Sequence, residues 1–295
     1  ENLKIFGGMP KEIVDIKVIT RFDDYLVCIV DKVLKPNKFR IKPKCKYYLS
    51  CTGCQFQHID YEEQLNIKRK FVIEELSSVK TFSVEKIDRT FPSINKYEYR
   101  NHARFSVSKT DKYKGNIGFI NRWNRKLIPI TKCEIMSMKI NSILHHLKNK
   151  LPGYSQFSVR VGVNSDSYLI QPKIPELGNI KTGQDHYHEK INGIDQKISS
   201  PSFFQVNTTQ AENLGKIVKD LLELRGSEVL IDAFSGVGTF AVLLSQYVKK
   251  IYGIESSFSS ISDAFYNSKA IQNIEFIHSD VESIKPDIFK EHIDA

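Results

Sequence analysis

Val229-Leu230-Ile231-Asp232-Ala233-Phe234-Ser235-Gly236-Val237-Gly238-Thr239-Phe240 reads as a strand, a glycine-bearing turn and the start of a helix. The apolar opening is short, as in a strand buried on both faces. Two glycines one residue apart supply dihedrals that side chains forbid and let the backbone approach a ligand. Working outward, residues 250–255 and 274–278 are further strands, and 236–248 and 259–270 carry helices. Upstream, 208–224 is a helix with Asn207 or Thr208 as its N-cap. This alternation predicts an α/β fold with a parallel, doubly wound sheet. Glu255 closes the second strand, where a carboxylate can take both hydroxyls of a ribose, and Asp280 follows the third, placed to meet an adenine edge.

The third glycine of the dinucleotide fingerprint is missing, since Phe240 and Ala241 follow Gly238. With Asp232 inside the end of the first strand, this favours S-adenosylmethionine over NAD as the ligand. A generic nucleotide fold is the alternative, in which Asp232 only holds the loop by hydrogen bonds.

Cys45, Cys51, Cys54 and the distant Cys133 make four candidate thiolate ligands in a polar, turn-rich setting. Zinc ribbons usually offer two Cys-x-x-Cys pairs, whereas three-plus-one spacing is more usual for a four-iron cluster. Spacing alone leaves iron–sulfur, zinc and unrelated cysteines open. Cys28, in an apolar strand, reads as a core residue.

The 295 residues suit two or three domains. A composition of 41% hydrophobic and 26% charged residues can bury a core and excludes a disordered class. No apolar run reaches the roughly 20 residues that cross a bilayer, and no signal-peptide pattern opens the chain, so no membrane partner and a cytoplasmic location are expected. The net charge of +9 favours a polyanionic partner. From Lys32 to Lys46 every charged residue is basic. From Lys96 to Lys132 basic residues interleave with Tyr97, Tyr99, Phe105, Tyr113, Phe119 and Trp123, against only Glu98 and Asp111. Cations beside flat rings compose an RNA-binding surface; a solvated basic face over core aromatics has the same composition.

Residues 1–38 read as short strands, 13–19 and 25–33, after the Gly7-Gly8-Met9-Pro10 turn. They fit part of a small oligonucleotide-binding barrel or any β-hairpin. An amphipathic helix is expected over 61–79, its apolar set being Leu65, Phe71, Val72 and Leu76. Strands are expected near 103–107, 116–120, 157–163 and 167–172, and a helix over 137–151, stopped by Pro152-Gly153. The expected domains are 1–38, a partial barrel; 39–190, an α+β central domain with the cysteine loop; and 191–295, a Rossmann-like domain.

Together these pieces resemble the bacterial RNA (uracil-5-)-methyltransferase family, especially its iron–sulfur-containing 23S ribosomal RNA branch. The segments that carry the resemblance are Cys45 to His58, with Tyr61 and Gln64-Leu65 after it; Tyr99-Arg100-Asn101-His102-Ala103-Arg104; Gly118-Phe119 leading to Cys133; Ser200-Pro201-Ser202-Phe203-Phe204-Gln205-Val206-Asn207; and Asp232 to Phe240. The resemblance implies that Cys45, Cys51, Cys54 and Cys133 hold a [4Fe-4S] cluster. It implies that Gln205, Phe234, Thr239, Glu255 and Asp280, beside Asp232, Gly236 and Gly238, contact S-adenosylmethionine. Arg100 and Arg104 would meet RNA, and Phe203 either stacks near the target base or packs in the core. The resemblance implies that 191–295 is the incomplete, N-terminal half of a Rossmann-like class I methyltransferase domain, and that the activity forms 5-methyluridine in 23S rRNA, by a monomer. The alternatives are a transfer-RNA uridine-5 methyltransferase and a non-catalytic RNA-binding iron–sulfur or zinc protein. The family's chemistry needs a cysteine thiolate that adds to carbon 6 and a base that later removes the proton from carbon 5. No cysteine follows Cys133, so no catalytic residue is assigned in this chain, which is expected to be a fragment inactive by itself.

Overall fold

The computed structural model describes every residue except 1, 80–82, 84, 86, 110–114, 152, 176 and 178. Asp111 and Tyr113 of the basic stretch, and Pro152 as a helix stop, therefore lie outside the described residues. The chain divides into two compact units, neither continuous in sequence: Glu1–Lys96 with Phe105–Glu134 and Lys148–Gln156, and Tyr97–Arg104 with Ile135–Leu147 and Phe157–Ala295. The three consecutive segments expected from sequence do not coincide with these units.

In the first unit, β1 (Asn2–Phe6), β2 (Ile13–Arg21) and β3 (Tyr25–Lys35) form a sheet in the order β1-β3-β2. β1 runs parallel to β3, and β2 runs antiparallel to it with three register shifts. Leu26, Val27, Cys28 and Val30 of β3 are buried, which places Cys28 in the core as its apolar setting suggests. Three strands are too few to close a barrel, and the described strands form an open sheet. The loop after β3 is fixed by Glu12, whose side chain is 1% exposed. It accepts from Arg40 Nε and Nη2 at 2.5 Å each and from the Met9 and Asn37 amides at 2.9 Å. The guanidinium of Arg40 and these amides hold the Glu12 carboxyl at about 2, well below the usual range.

Asp60 caps α1 (Tyr61–Leu76) by accepting from the Glu62 amide. Leu65 is its buried residue, whereas Phe71 and Val72 are 54% and 47% exposed. The helix lies where its spacing predicts, but the expected apolar face is not covered within the described residues. β4 (His102–Val107) ends in this unit, where Ser106 and Val107 pair antiparallel with β5 (Ile117–Ile120), itself paired with β6 (Leu127–Pro129).

The second unit holds the first residues of β4, α2 (Met138–Leu147), most of β7 (Gln156–Val161) and β8 (Tyr168–Gln171), the last two antiparallel. Next in the chain is a hairpin of β9 (His186–Ile191) and β10 (Ile194–Ser199). Its two-residue turn is Asn192-Gly193, both with positive φ (47° and 81°), the pair that a tight type I′ hairpin requires. The expected boundary at 190/191 thus falls inside β9. Burial explains why the hairpin belongs with the C-terminal residues: Tyr187, Ile191 and Ile198 share one core with Ala211, Val237 and Leu243.

Then come α3 (Thr208–Leu221), capped by Asn207, β11 (Val229–Ala233), α4 (Thr239–Leu244), β12 (Lys250–Glu255), α5 (Phe258–Asn267) and β13 (Ile274–His278). The three strands are parallel in the order β11-β12-β13, as the helix–strand alternation requires. Leu230, Ala241, Leu244, Ile251, Ile261 and Phe276 form the core between sheet and helices. Among the described residues no helix is long and apolar enough to cross a membrane.

Candidate functional site

The site grows from the end of β11. Phe234 adopts φ +60°, a left-handed conformation uncommon for a bulky residue, and its side chain is 70% exposed. An aromatic ring held outward on a strained turn is a ligand-facing arrangement. Gly236 has φ +56°, and a Cβ there would meet nothing within 4 Å, so the backbone is open on that side. Gly238, at φ +78°, is enforced by packing as well, since a Cβ would lie 2.7 Å from the Phe276 ring and 3.2 Å from Ala264.

Glu255 binds this turn to the next. Its Oε2 accepts from the Gly236 amide at 2.8 Å and its Oε1 from the Ser257 amide at 2.7 Å. Each carboxylate oxygen retains a further lone pair for a hydroxyl. The Ser279 amide donates to the Glu255 carbonyl at 3.1 Å, which brings the exposed Asp280 to the same end of the sheet. Asp232 accepts from the Ala241 amide at 3.0 Å and so anchors the start of α4. Burial pushes its carboxyl up to about 6, the charge of Glu255 adding to the effect. The Ser235 hydroxyl, within the turn, is buried without a hydrogen-bond partner among the described residues. An open amide cradle, an orphaned hydroxyl, an exposed ring and a carboxylate with spare acceptors fit the ribose and adenine of a nucleoside. The buried hydroxyl of Thr239 donates to Gln196 Oε1 at 2.8 Å and ties the turn to β10.

Gln205 and Phe203 lie on the loop after β10. No hydrogen bond among the described residues joins Gln205 to the glycine turn; its carbonyl accepts from Asn101 Nδ2 at 2.9 Å. Phe203 is 67% exposed, while its neighbour Phe204 enters the core, so Phe203 is free to stack. Sequence reasoning missed what holds this loop. Asp263 of α5, fully buried, accepts from the Ser199 amide and hydroxyl and from the Ser202 hydroxyl, each at 2.7 Å. Asn267, one turn on, donates to the carbonyls of Val237 and Lys197 and accepts from the Lys197 amide. The available signal is two polar residues at i, i+4 beside the apolar Ile261 and Ala264.

Arg104 stands exposed on β4, and the half-buried Arg100 carries a buried Nε without a hydrogen-bond partner among the described residues. The five cysteines all belong to the first unit. Cys45, Cys51, Cys54 and Cys133 are each half-buried. The Cys51 thiol is pushed up by burial and then by its neighbours Cys54 and Cys45. Cys51 and Cys54 line a cavity of about 50 Å³ with Cys28, Phe6 and Trp123. Yet among the described residues no three His, Cys, Asp or Glu side chains are gathered as metal ligands. The loop brings thiols near one another but not into a ligand set, so it does not fit the expected cluster as it stands.

No protein-family model matches the chain. A Clostridium tetani protein described as an uncharacterized RNA methyltransferase is 29% identical over 350 residues, covering 100% of this chain and 76% of that protein. An Aquifex aeolicus protein of the same description is 29% identical over 297 residues, 88% of this chain and 68% of its own length. Among solved structures, the Pyrococcus abyssi tRNA (uracil-54, C5)-methyltransferase in complex with S-adenosyl-L-homocysteine aligns with a TM-score of 0.73 at 20% identity. That alignment covers 97% of this chain and 76% of the other. The fold is thus the α/β fold of S-adenosylmethionine-dependent methyltransferases.

Proposed function

We propose that this chain is part of an S-adenosylmethionine-dependent RNA methyltransferase that acts on carbon 5 of a uridine. The observation that carries the reading is Glu255 bridging the amides of Gly236 and Ser257 beside the outward-held Phe234. RNA as substrate is supported by the descriptions of the C. tetani and A. aeolicus relatives. Uracil as the base is supported by the motif resemblance and by the name of the P. abyssi neighbour. That neighbour's name specifies tRNA, whereas the resemblance of the cysteine and Arg100–Arg104 motifs favours 23S rRNA; we take rRNA as the first reading and tRNA as the second. Iron–sulfur ligation rests on the cysteine pattern alone and enters no step.

When bound, S-adenosylmethionine supplies an electrophilic methyl group. The chain's own contribution is positioning. Glu255 has acceptors for two ribose hydroxyls, Phe234 offers a ring face, and Asp280 stands at the sheet edge for the adenine. The buried Asp232, its carboxyl raised to about 6, is mostly ionised at neutral pH and offers a negative charge to a cationic ligand. Phe203, outward on a clasped loop, suits a base splayed from its stack. Uracil carbon 5 needs a thiolate at carbon 6 to become nucleophilic, and the second unit contains no cysteine. The chain is expected to bind the cofactor and RNA through these residues. Calorimetric titration with S-adenosyl-L-homocysteine tests the reading: saturable binding at one site supports it, and no heat from well-folded protein removes it.

A further inference from the structure

β4 and β7 are neighbours in one sheet. The Val161 amide donates to the Asn101 carbonyl at 2.9 Å, which sets Val161 across from Asn101 and therefore Arg160 across from His102. Side chains alternate along a strand: Ala103 and Phe105 are buried on one side, Phe157, Val159 and Val161 likewise. Arg100, His102 and Arg104 consequently share the opposite face with Arg160. A directly opposed pair brings Cβ atoms to about 5 Å. Among the described residues no carboxylate forms an ion pair with any of these three arginines, and the Arg100 Nε is buried without a hydrogen-bond partner. Three guanidiniums converging on one imidazole with no acid between them leave a positive field that only an outside anion can neutralise.

We propose that this face is a binding site for the phosphodiester of a nucleic-acid strand, and that its occupation adds a proton to His102. The identity of the anion rests on the RNA-methyltransferase reading; the charge arrangement does not. Burial first, then Arg160, Arg100 and Arg104, hold His102 down at about 4, so the ring is neutral in the free protein. From the other side Arg160 faces Tyr187 of β9, which burial pushes up and keeps neutral, with Glu189 beyond it. A phosphodiester reverses the sign of the local field, and the imidazolium becomes a donor to it. Arg160 also links the site to the target-base loop, because its Nη1 donates to the Ser199 carbonyl at 3.3 Å and to that of Ser202 at 2.6 Å. The strand backbone and the Phe203 ring would then be set in one register.

The test is the titration of His102, followed by NMR in this chain with and without a short oligouridylate. The midpoint is expected to rise from about 4 by at least one unit in the complex. The exposed variant Arg104→Gln, its fold checked by circular dichroism, should weaken oligouridylate binding about fivefold. It should also make the slope of log affinity against log salt shallower by about 0.7, the share of one single-strand phosphate contact. A His102 midpoint unmoved by the oligonucleotide, or an unchanged salt slope in Arg104→Gln, overturns the proposal. Binding of S-adenosyl-L-homocysteine, measured on the same samples, reads the methyltransferase assignment separately, so the two failures are told apart.

Discussion

The glycine turn and the cysteine loop differ in how their candidate residues are held. Each stands on a buried carboxylate from another element, Asp263 for the loop beside the turn and Glu12 for the loop that leads to the cysteines. In the second unit the candidates are themselves part of the hydrogen-bonding, since Glu255 and Asp232 both accept from backbone amides of the turn they serve. In the first unit the loop is held through backbone and neighbouring side chains instead: the Cys45 amide donates to Gln57 Oε1 at 3.2 Å, the Cys51 amide to the Tyr47 carbonyl at 2.7 Å, and Asn121 Nδ2 to the Ser50 carbonyl at 2.9 Å. A site built from carboxylates and amides assembles from the chain's own chemistry, because Glu255, Asp232 and Asp263 each accept from backbone amides. Thiols are weak donors and acceptors and give a loop little of that internal order.

The contrast is tested most strongly at Asp263. Asp263→Ala leaves the Ser199 amide and two hydroxyls without their acceptor in a buried place, and urea unfolding should show a loss of about 3–4 kcal/mol. Glu12→Ala should cost about 3 kcal/mol in the same assay by stranding the Arg40 guanidinium; a loss under about 1 kcal/mol would show that the first unit does not depend on this anchor. Glu255→Gln retains one acceptor oxygen but not two, so affinity for S-adenosyl-L-homocysteine should fall between about tenfold and a hundredfold, equivalent to roughly 1.4–2.8 kcal/mol.

Asp232 predicts a pH signature. Its folded carboxyl is raised to about 6 from 3.8, so the folded state holds more protons between those values, and stability from this group falls as pH rises through that window. Asp232→Asn should therefore be more stable than the parent by about 3 kcal/mol at pH 8, with the gap closing below pH 4. Thermal unfolding across this range reads it, and a gap of constant size would refute the burial argument. The smallest effect is expected at Cys51→Ser, under about 1 kcal/mol in metal-free protein. If anaerobically purified chain instead contains iron and sulfide that this variant loses, the cysteine loop is a cofactor site after all.

Legibility in the sequence divides along the same line. β12 and β13 are readable to the residue because short apolar runs between polar turns admit one interpretation. The β9–β10 hairpin escapes the sequence reading although Asn192-Gly193 is a strong turn signal, because the polar residues Glu189 and Gln196, both fully buried, stand on the inward face and break the apolar alternation. Phe203 and Phe204 are chemically equivalent neighbours, and only packing decides which of them enters the core. Asp263 and Asn267 cannot be assigned as clasps from the sequence, since each reaches a partner more than 60 residues away. The cysteines are conspicuous as a pattern, yet a pattern of thiols does not by itself specify geometry.

The side chain of Asn101 meets the Gln205 carbonyl across 104 residues of intervening chain. During synthesis at about 5–20 residues per second, that asparagine waits roughly 5–20 s before its partner has even been made. Residues 97–104 are thus born long before most of the unit to which they belong, and the apolar Ala103 must stay out of unproductive associations meanwhile. A slow-translating ribosome or a missing chaperone would accordingly lower the yield of this protein without altering any residue that touches a ligand.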